Sequence, residues 1–277
     1  MIKLLGVLLL LTAVVGATYL NIDEPIESKG MMENSPALNI GIAGPGQTVY
    51  IVAERATIGP DDRIHDPGWD QLVITDVPPG WSTEDSPLYE TPMKAKIKIA
   101  PDATDGAYTF KATAVNEDNV TGLGNLTVNI ILNVSKNVFT IDVTPNEVET
   151  GVGEPAIYYI DIDNAGAASD TFSITSSGLP AWRFTKDVLA PHAINPFAPA
   201  RKTIPYEVVS NEETDKEIYL NVTSQSSDQI TKELKVRLKA TPSLISDYRA
   251  TAHGLLIFPL IENPIYSLIA FLSKLIL

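Results

Sequence analysis

Apolar and polar residues alternate with period two through most of this chain. Thr48-Val-Tyr-Ile-Val-Ala53 alternates, and so does Gln71-Leu-Val-Ile-Thr75. In the run Lys94 to Ala100, Ala95, Ile97 and Ile99 share one face and lysines take the other. Tyr108, Phe110, Ala112 and Ala114 repeat the pattern, and Leu126 to Val134 continues it. Side chains on an extended backbone point to opposite sides in turn, so this period marks half-buried strands. Gly, Pro, Asn and Asp separate the runs, as expected of antiparallel strands joined by turns.

The pattern occurs twice. The first copy reads Gly44-Pro-Gly46, then Asp70 to Asp76, Pro78-Pro-Gly-Trp81 and Asp105-Gly-Ala-Tyr108. The second reads Gly151-Val-Gly153, then Asp170 to Ser176, Leu179-Pro-Ala-Trp182 and the strand that follows Asp215. A repeat of this length sets the architecture before any single motif does. About seven short strands per roughly 100 residues predicts an all-β chain of two tandem immunoglobulin-like β-sandwiches, residues 37–136 and 137–242. The second pattern starts at Val138, soon after the first ends near Ser135, so the linker is short.

The ends read differently. Met1 to Ala17 has Lys3, an apolar run to Val15 and small residues at the end, which is a signal-peptide pattern. Residues 18–36 are polar and irregular and are expected to form a flexible lead-in. Residues 253–277 form a membrane-associating segment with a C-terminal hydrophobic helix. It is long enough to span, but Glu262, Asn263 and Pro264 sit near its middle, where charge and a missing N–H are costly. Its last 13 residues also suit an interfacial helix, or one packed on a partner or on the sandwich itself.

Composition narrows the function. The formal net charge of −14 over 277 residues repels phosphate backbones and excludes nucleic acid as a partner. With no cysteine, disulfides, thiolate chemistry and Cys-based zinc sites are excluded, and an archaeal or bacterial surface protein is the expected source. No nucleophile elbow, phosphate-cradling loop or metal-spaced histidine pair occurs, so the chain is expected to be non-enzymatic and without a resident cofactor.

Candidate sites cluster in one insertion. Asp61, Asp62, Asp66 and Asp70 form an acidic loop of the kind that offers oxygen ligands to calcium, although the spacing matches no compact calcium loop. Trp69, which has no counterpart in the second copy, is expected to be an exposed ligand-contact residue, with His65 beside it. Trp81 and Trp182 stand at equivalent places and are expected in the cores. Asn119, Asn125, Asn133 and Asn221 each begin an Asn-x-Ser/Thr sequon, a possible glycan acceptor on an exported chain.

Taken with the strand ending in Asn164-Ala-Gly166, the two Pro-x-Trp corners and the Gly106-Ala-Tyr108 strand, the pattern resembles the NPCBM-associated immunoglobulin-like domain, found beside alpha-galactosidases. The resemblance covers about 200 residues. It implies an extracellular accessory or spacer module with no catalytic residues. The first copy departs from it at the insertion, residues 61–69. The expected function is an exported, membrane-anchored, structural or adhesive glycoprotein of the cell surface. The membrane, and a surface protein or glycan, would be its partners. The alternative is an accessory carbohydrate- or protein-binding subunit of a surface enzyme or transporter.

Overall fold

The structure, a computed structural model, describes residues 18–59, 63–117, 119, 122–178, 186–189 and 200–242. The proposed signal peptide and the C-terminal segment lie outside the described residues, as does Trp182. Every regular element among the described residues is a strand. The chain divides into two compact units.

The first unit holds β1 (Tyr19–Glu24), β2 (Lys29–Met32), β3 (Leu38–Ala43), β4 (Thr48–Ala53), β5 (Thr57–Ile58), β6 (Ile64–His65), β7 (Gln71–Thr75), β8 (Ser82–Glu84), β9 (Met93–Lys98), β10 (Gly106–Val115) and β11 (Leu126–Val134). One sheet runs β2-β1-β4-β9-β8 and the other β3-β11-β10-β7. All pairings are antiparallel except β3 with β11. This is the strand order of an immunoglobulin constant-type sandwich, with the early strand split so that its second half crosses to the other sheet. The inward side chains are those the alternation predicts: Val49, Ile51, Ala95, Ile97, Leu72, Ala112, Val128 and Ile130 are buried. Trp81 closes this core as expected, its ring 5.3 Å from Tyr108 and 6.5 Å from Phe110. The Tyr108 hydroxyl donates back to the Thr104 carbonyl at 2.9 Å, which pins the turn into β10.

Residues 18–36 are not a flexible lead-in. They form the hairpin β1–β2, and β1 joins β4 in the sheet. Leu20 and Ile22 are fully buried and Met31 nearly so, which secures a segment whose charged residues and turn formers had masked two inward-facing positions. The first unit also takes in Ala165–Ser169; the Ala167 N–H donates to the Ile42 carbonyl at 2.6 Å, and Ala167 and Ala168 are buried.

The second unit holds β12 (Phe139–Thr144), β13 (Glu147–Gly151), β14 (Pro155–Asn164), β15 (Asp170–Ser177), β16 (Lys186–Leu189), β17 (Arg201–Val209), β18 (Thr214–Ser224) and β19 (Thr231–Thr241). Its sheets run β12-β14-β17 and β13-β19-β18-β15-β16. Tyr158, Tyr206, Phe139, Phe172, Ile174, Leu220 and Val222 fill the space between them. Asp170 is buried here without strain on its hydrogen bonding: it accepts from the hydroxyls of Ser224 and Ser226 and from the Thr171 N–H. One strand changes sheet between the two units. In the first, β8 pairs with β9; in the second, the corresponding β16 pairs with β15, in the opposite sheet.

Candidate functional site

Three connections of the first unit meet at one end of its sandwich: Glu54–Asp70 between β4 and β7, Asp85–Pro92 between β8 and β9, and Asn116–Asn125 between β10 and β11. Loops held on a rigid sandwich are the usual place for recognition, because their side chains are free of the core while their ends are fixed. The first of the three contains the insertion that the second copy lacks, now seen to carry the short hairpin β5–β6.

Arg55 organises this end. Its side chain is only 12% exposed. Its Nε donates to the Trp69 carbonyl at 2.8 Å, and Nη1 donates to the Tyr89 carbonyl at 3.2 Å and the Thr91 hydroxyl at 3.4 Å. Nη2 stands 3.6 Å from Asp70 Oδ1, and the guanidinium lies 5.6 Å from the centre of the Tyr89 ring. The Arg55 carbonyl accepts from the N–H groups of Gly68 and Trp69. A planar fork of donors suits this site, since several acceptors from two loops converge on one side chain. Gly68 is required by the close approach: a Cβ there would meet Thr57 Cγ2 at 2.7 Å.

Asp70 completes the knot and brings in the third loop. Its Oδ2 accepts from the Glu117 N–H at 2.9 Å, its own N–H donates to the Val115 carbonyl, and its carbonyl accepts from the Tyr89 N–H. Ser86 and Asp85 fasten the second loop to β7 by accepting from the N–H groups of Leu72 and Ile74.

The sequence-predicted residues fall out differently. Trp69 is fully buried in the core beside β7, so it is not an exposed contact residue. Its indole carries more apolar area than any other side chain of the insertion, and burial claimed it. His65 is half-buried in β6, opposite Thr57. Asp66 is exposed, Asp70 is committed to Arg55 and to the Glu117 amide, and Asp61 and Asp62 lie outside the described residues. Among the described residues, no group of three or more acidic or histidine side chains is placed to hold a metal ion. Asp161 on β14 accepts from the Thr203 hydroxyl and from Arg201 on the neighbouring strand, which hold its carboxyl below the usual carboxylate range.

What this end presents outward is apolar with an acidic rim. Ile64 is 77% exposed, Tyr89 55% and Leu88 46%, while Asp66 and Glu117 are also exposed and Glu90 is half-buried. Ile64 carries no sequence signal of its own, being one apolar residue within the insertion. Arg55 and Tyr89 gave no signal, because their roles depend on loops far apart in the chain.

No family model matches the chain, and no curated protein matches it. Solved structures with similar arrangements include a chimeric titin Z1Z2 carrying a peptide from decorin (10% identity, TM-score 0.34, 82% of this chain and 99% of that one). Fibronectin(III)-like modules of Clostridium thermocellum CbhA are another (16% identity, TM-score 0.26, 80% and 94%), and a PapD-like domain of human CEP192 a third (10%, 0.26, 37% and 86%).

Proposed function

We propose that this chain is an exported cell-surface protein, held at the membrane by residues 253–277, that makes adhesive contacts with another surface protein through the loop end of its first unit. The observation that carries this reading is the set of exposed apolar residues Ile64, Leu88 and Tyr89 on loops locked by Arg55 and Asp70. Large apolar side chains held out on a preorganised scaffold lose little freedom on binding, and an aromatic among them is a usual energetic anchor. The acidic rim and the net charge of −14 favour a partner whose contact surface is basic. The two apolar chain ends and the resemblance to accessory modules of surface proteins support export and anchoring, with no catalytic role for the chain itself.

The test is fractionation of cells expressing the full chain beside one that stops after Arg249, combined with cell-binding assays of Tyr89→Ala. The full chain is expected in the membrane fraction, released by detergent and not by high salt. Tyr89→Ala is expected to bind cells at least tenfold more weakly with an unchanged melting temperature. Equal solubility of both forms would overturn the anchor, and unchanged binding would overturn the contact surface.

The hairpin β5–β6 occurs in the first copy alone and favours a second reading, an accessory binding subunit. In that case a stoichiometric enzyme or transporter partner would copurify with the chain.

A further inference from the structure

The chain carries 34 acidic and 20 basic residues, yet one face of its first unit is basic. In β9 the inward positions are Met93, Ala95 and Ile97, all fully buried, so Lys94, Lys96 and Lys98 stand together on the outer side of the sheet. Alternate residues of a strand repeat at about 7 Å, which makes the row about 13 Å long. Beside it on β4, Tyr50 is paired with Lys96 and is 39% exposed. Lys94 Nζ lies 4.2 Å from the centre of the Tyr50 ring, and Lys96 is paired with Glu84 of β8 at 3.2 Å. Lys98 has no ion-pair partner among the described residues. The second unit lacks this row: the matching outward positions of β17 are Thr203, Pro205 and Glu207.

This face complements the loop end described above. There Ile64, Leu88 and Tyr89 are exposed and apolar, and the exposed carboxylates of Asp66 and Glu117 have no ion-pair partner among the described residues. An aromatic ring flanked by lysines offers such a surface both apolar area and positive charge in one patch. The two surfaces cannot meet within one copy. Arg55 and Ser86 lock the Asp85–Pro92 connection at the end of the sandwich, and β9 leaves it along the side. Between two copies they can meet. The net charge of −14 on each copy does not forbid it. At about 0.15 M salt the screening length is about 8 Å, so charges facing each other in the contact are felt and most of the rest are not.

We infer that the partner of the loop end is a second copy of this chain, engaged at the face formed by Tyr50, Lys94 and Lys98. The inference rests on the contact surface proposed above and names its partner. Such a contact joins two different surfaces, so it is not closed at two copies. Each pair still presents one loop end and one lysine face, and further copies add in series.

The test is sedimentation velocity of the full chain in a neutral detergent at about 0.15 M sodium chloride, with cell binding measured in parallel. The parent is expected to sediment faster as its concentration rises, through dimers into larger species. Tyr89→Ala, and Lys94→Glu combined with Lys98→Glu, are each expected to stay monomeric at the parental melting temperature. An equimolar mixture of these two variants is expected to form dimers and nothing larger, because one supplies only a lysine face and the other only a loop end. Lys98→Glu alone breaks no ion pair of the fold and is expected to weaken association, which keeps the test open if the double variant melts early. A monomeric parent that still binds cells through Tyr89 overturns the inference alone, since the partner is then another protein. A monomeric parent that binds no cells overturns the contact surface as well. A parent that stops at a dimer, association that survives both variants, or a mixture that stays monomeric also overturns the inference.

Discussion

Arg55 shows how much of a binding surface hangs on one side chain. It links the loop that bears Ile64 to the loop that bears Tyr89 through two backbone carbonyls, a hydroxyl and a carboxylate. Arg55→Lys keeps the charge but replaces a flat fork by a point donor, which cannot serve the carbonyls of Trp69 and Tyr89 together. Because the site is largely buried, the abandoned acceptors lose solvent as well as their partner. We expect a loss of about 2 kcal/mol in urea unfolding, from the range for hydrogen bonds to charged groups. A loss under about 0.5 kcal/mol, typical of neutral surface changes, would show that Arg55 is not the latch. Trp69 makes the complementary point. The same insertion that exposes Ile64 buries the tryptophan, since a chain leaving and rejoining a sandwich needs an apolar plug where it returns. The sequence marks Trp69 as unusual, and the expectation that it faces water fails because its apolar area is what the core claims.

At the scale of strands, what was readable was what alternation alone determines. β9 buries Ala95 and Ile97 and exposes Lys94 and Lys98, as its pattern requires. Residues 18–36 look irregular in sequence because turn formers there outnumber the inward-facing residues of β1. The placement of β8 and β16 in opposite sheets was not readable at all. Both are short, and which sheet such a strand joins depends on how its connections reach across the sandwich rather than on its own pattern. The long strands of the second unit also set a pH dependence. Tyr158 of β14 is fully buried, and its hydroxyl donates to the Arg237 carbonyl in β19, so the phenol bridges the two sheets. Burial first, and then the negative charge of Glu147, push its pKa up to about 12. The folded chain therefore keeps this proton where the unfolded chain, near 10, gives it up. The contribution is present below pH 10 and is lost as the pH rises towards 12. Tyr206, which faces Tyr158 across the β14–β17 pair, is raised as well, again chiefly by burial. Urea midpoints measured from pH 9 to 12 should fall steadily in the parent and less steeply in Tyr158→Phe. Identical slopes would mean that this phenol is not what the alkaline limb reports.

For the whole molecule, charge is the remaining term, and it acts in two directions. The chain has 34 acidic and 20 basic residues, so the long-range interaction is repulsive. Against it stand local pairs on the second unit: Arg237 with Asp215, Lys235 with Glu217 and Lys239 with Glu149. These sit on exposed strand faces, where such pairs contribute little. Salt weakens both terms, and raising ionic strength from about 0.01 to 0.15 M shortens the screening length from about 30 to 8 Å. A contact at ion-pair distance is shorter than either length, while repulsion summed over a domain is not. Screening therefore removes more repulsion than attraction, and the melting temperature should rise with added sodium chloride. A fall would mean that the strand-face pairs outweigh the net charge. The same titration separates diffuse screening from a bound ion. Magnesium and calcium at equal concentration should trace one curve if the carboxylates act only as a charge cloud. A calcium-specific rise at micromolar concentration would instead assign a coordinating site, and Asp61→Asn with Asp62→Asn would be the variants to abolish it.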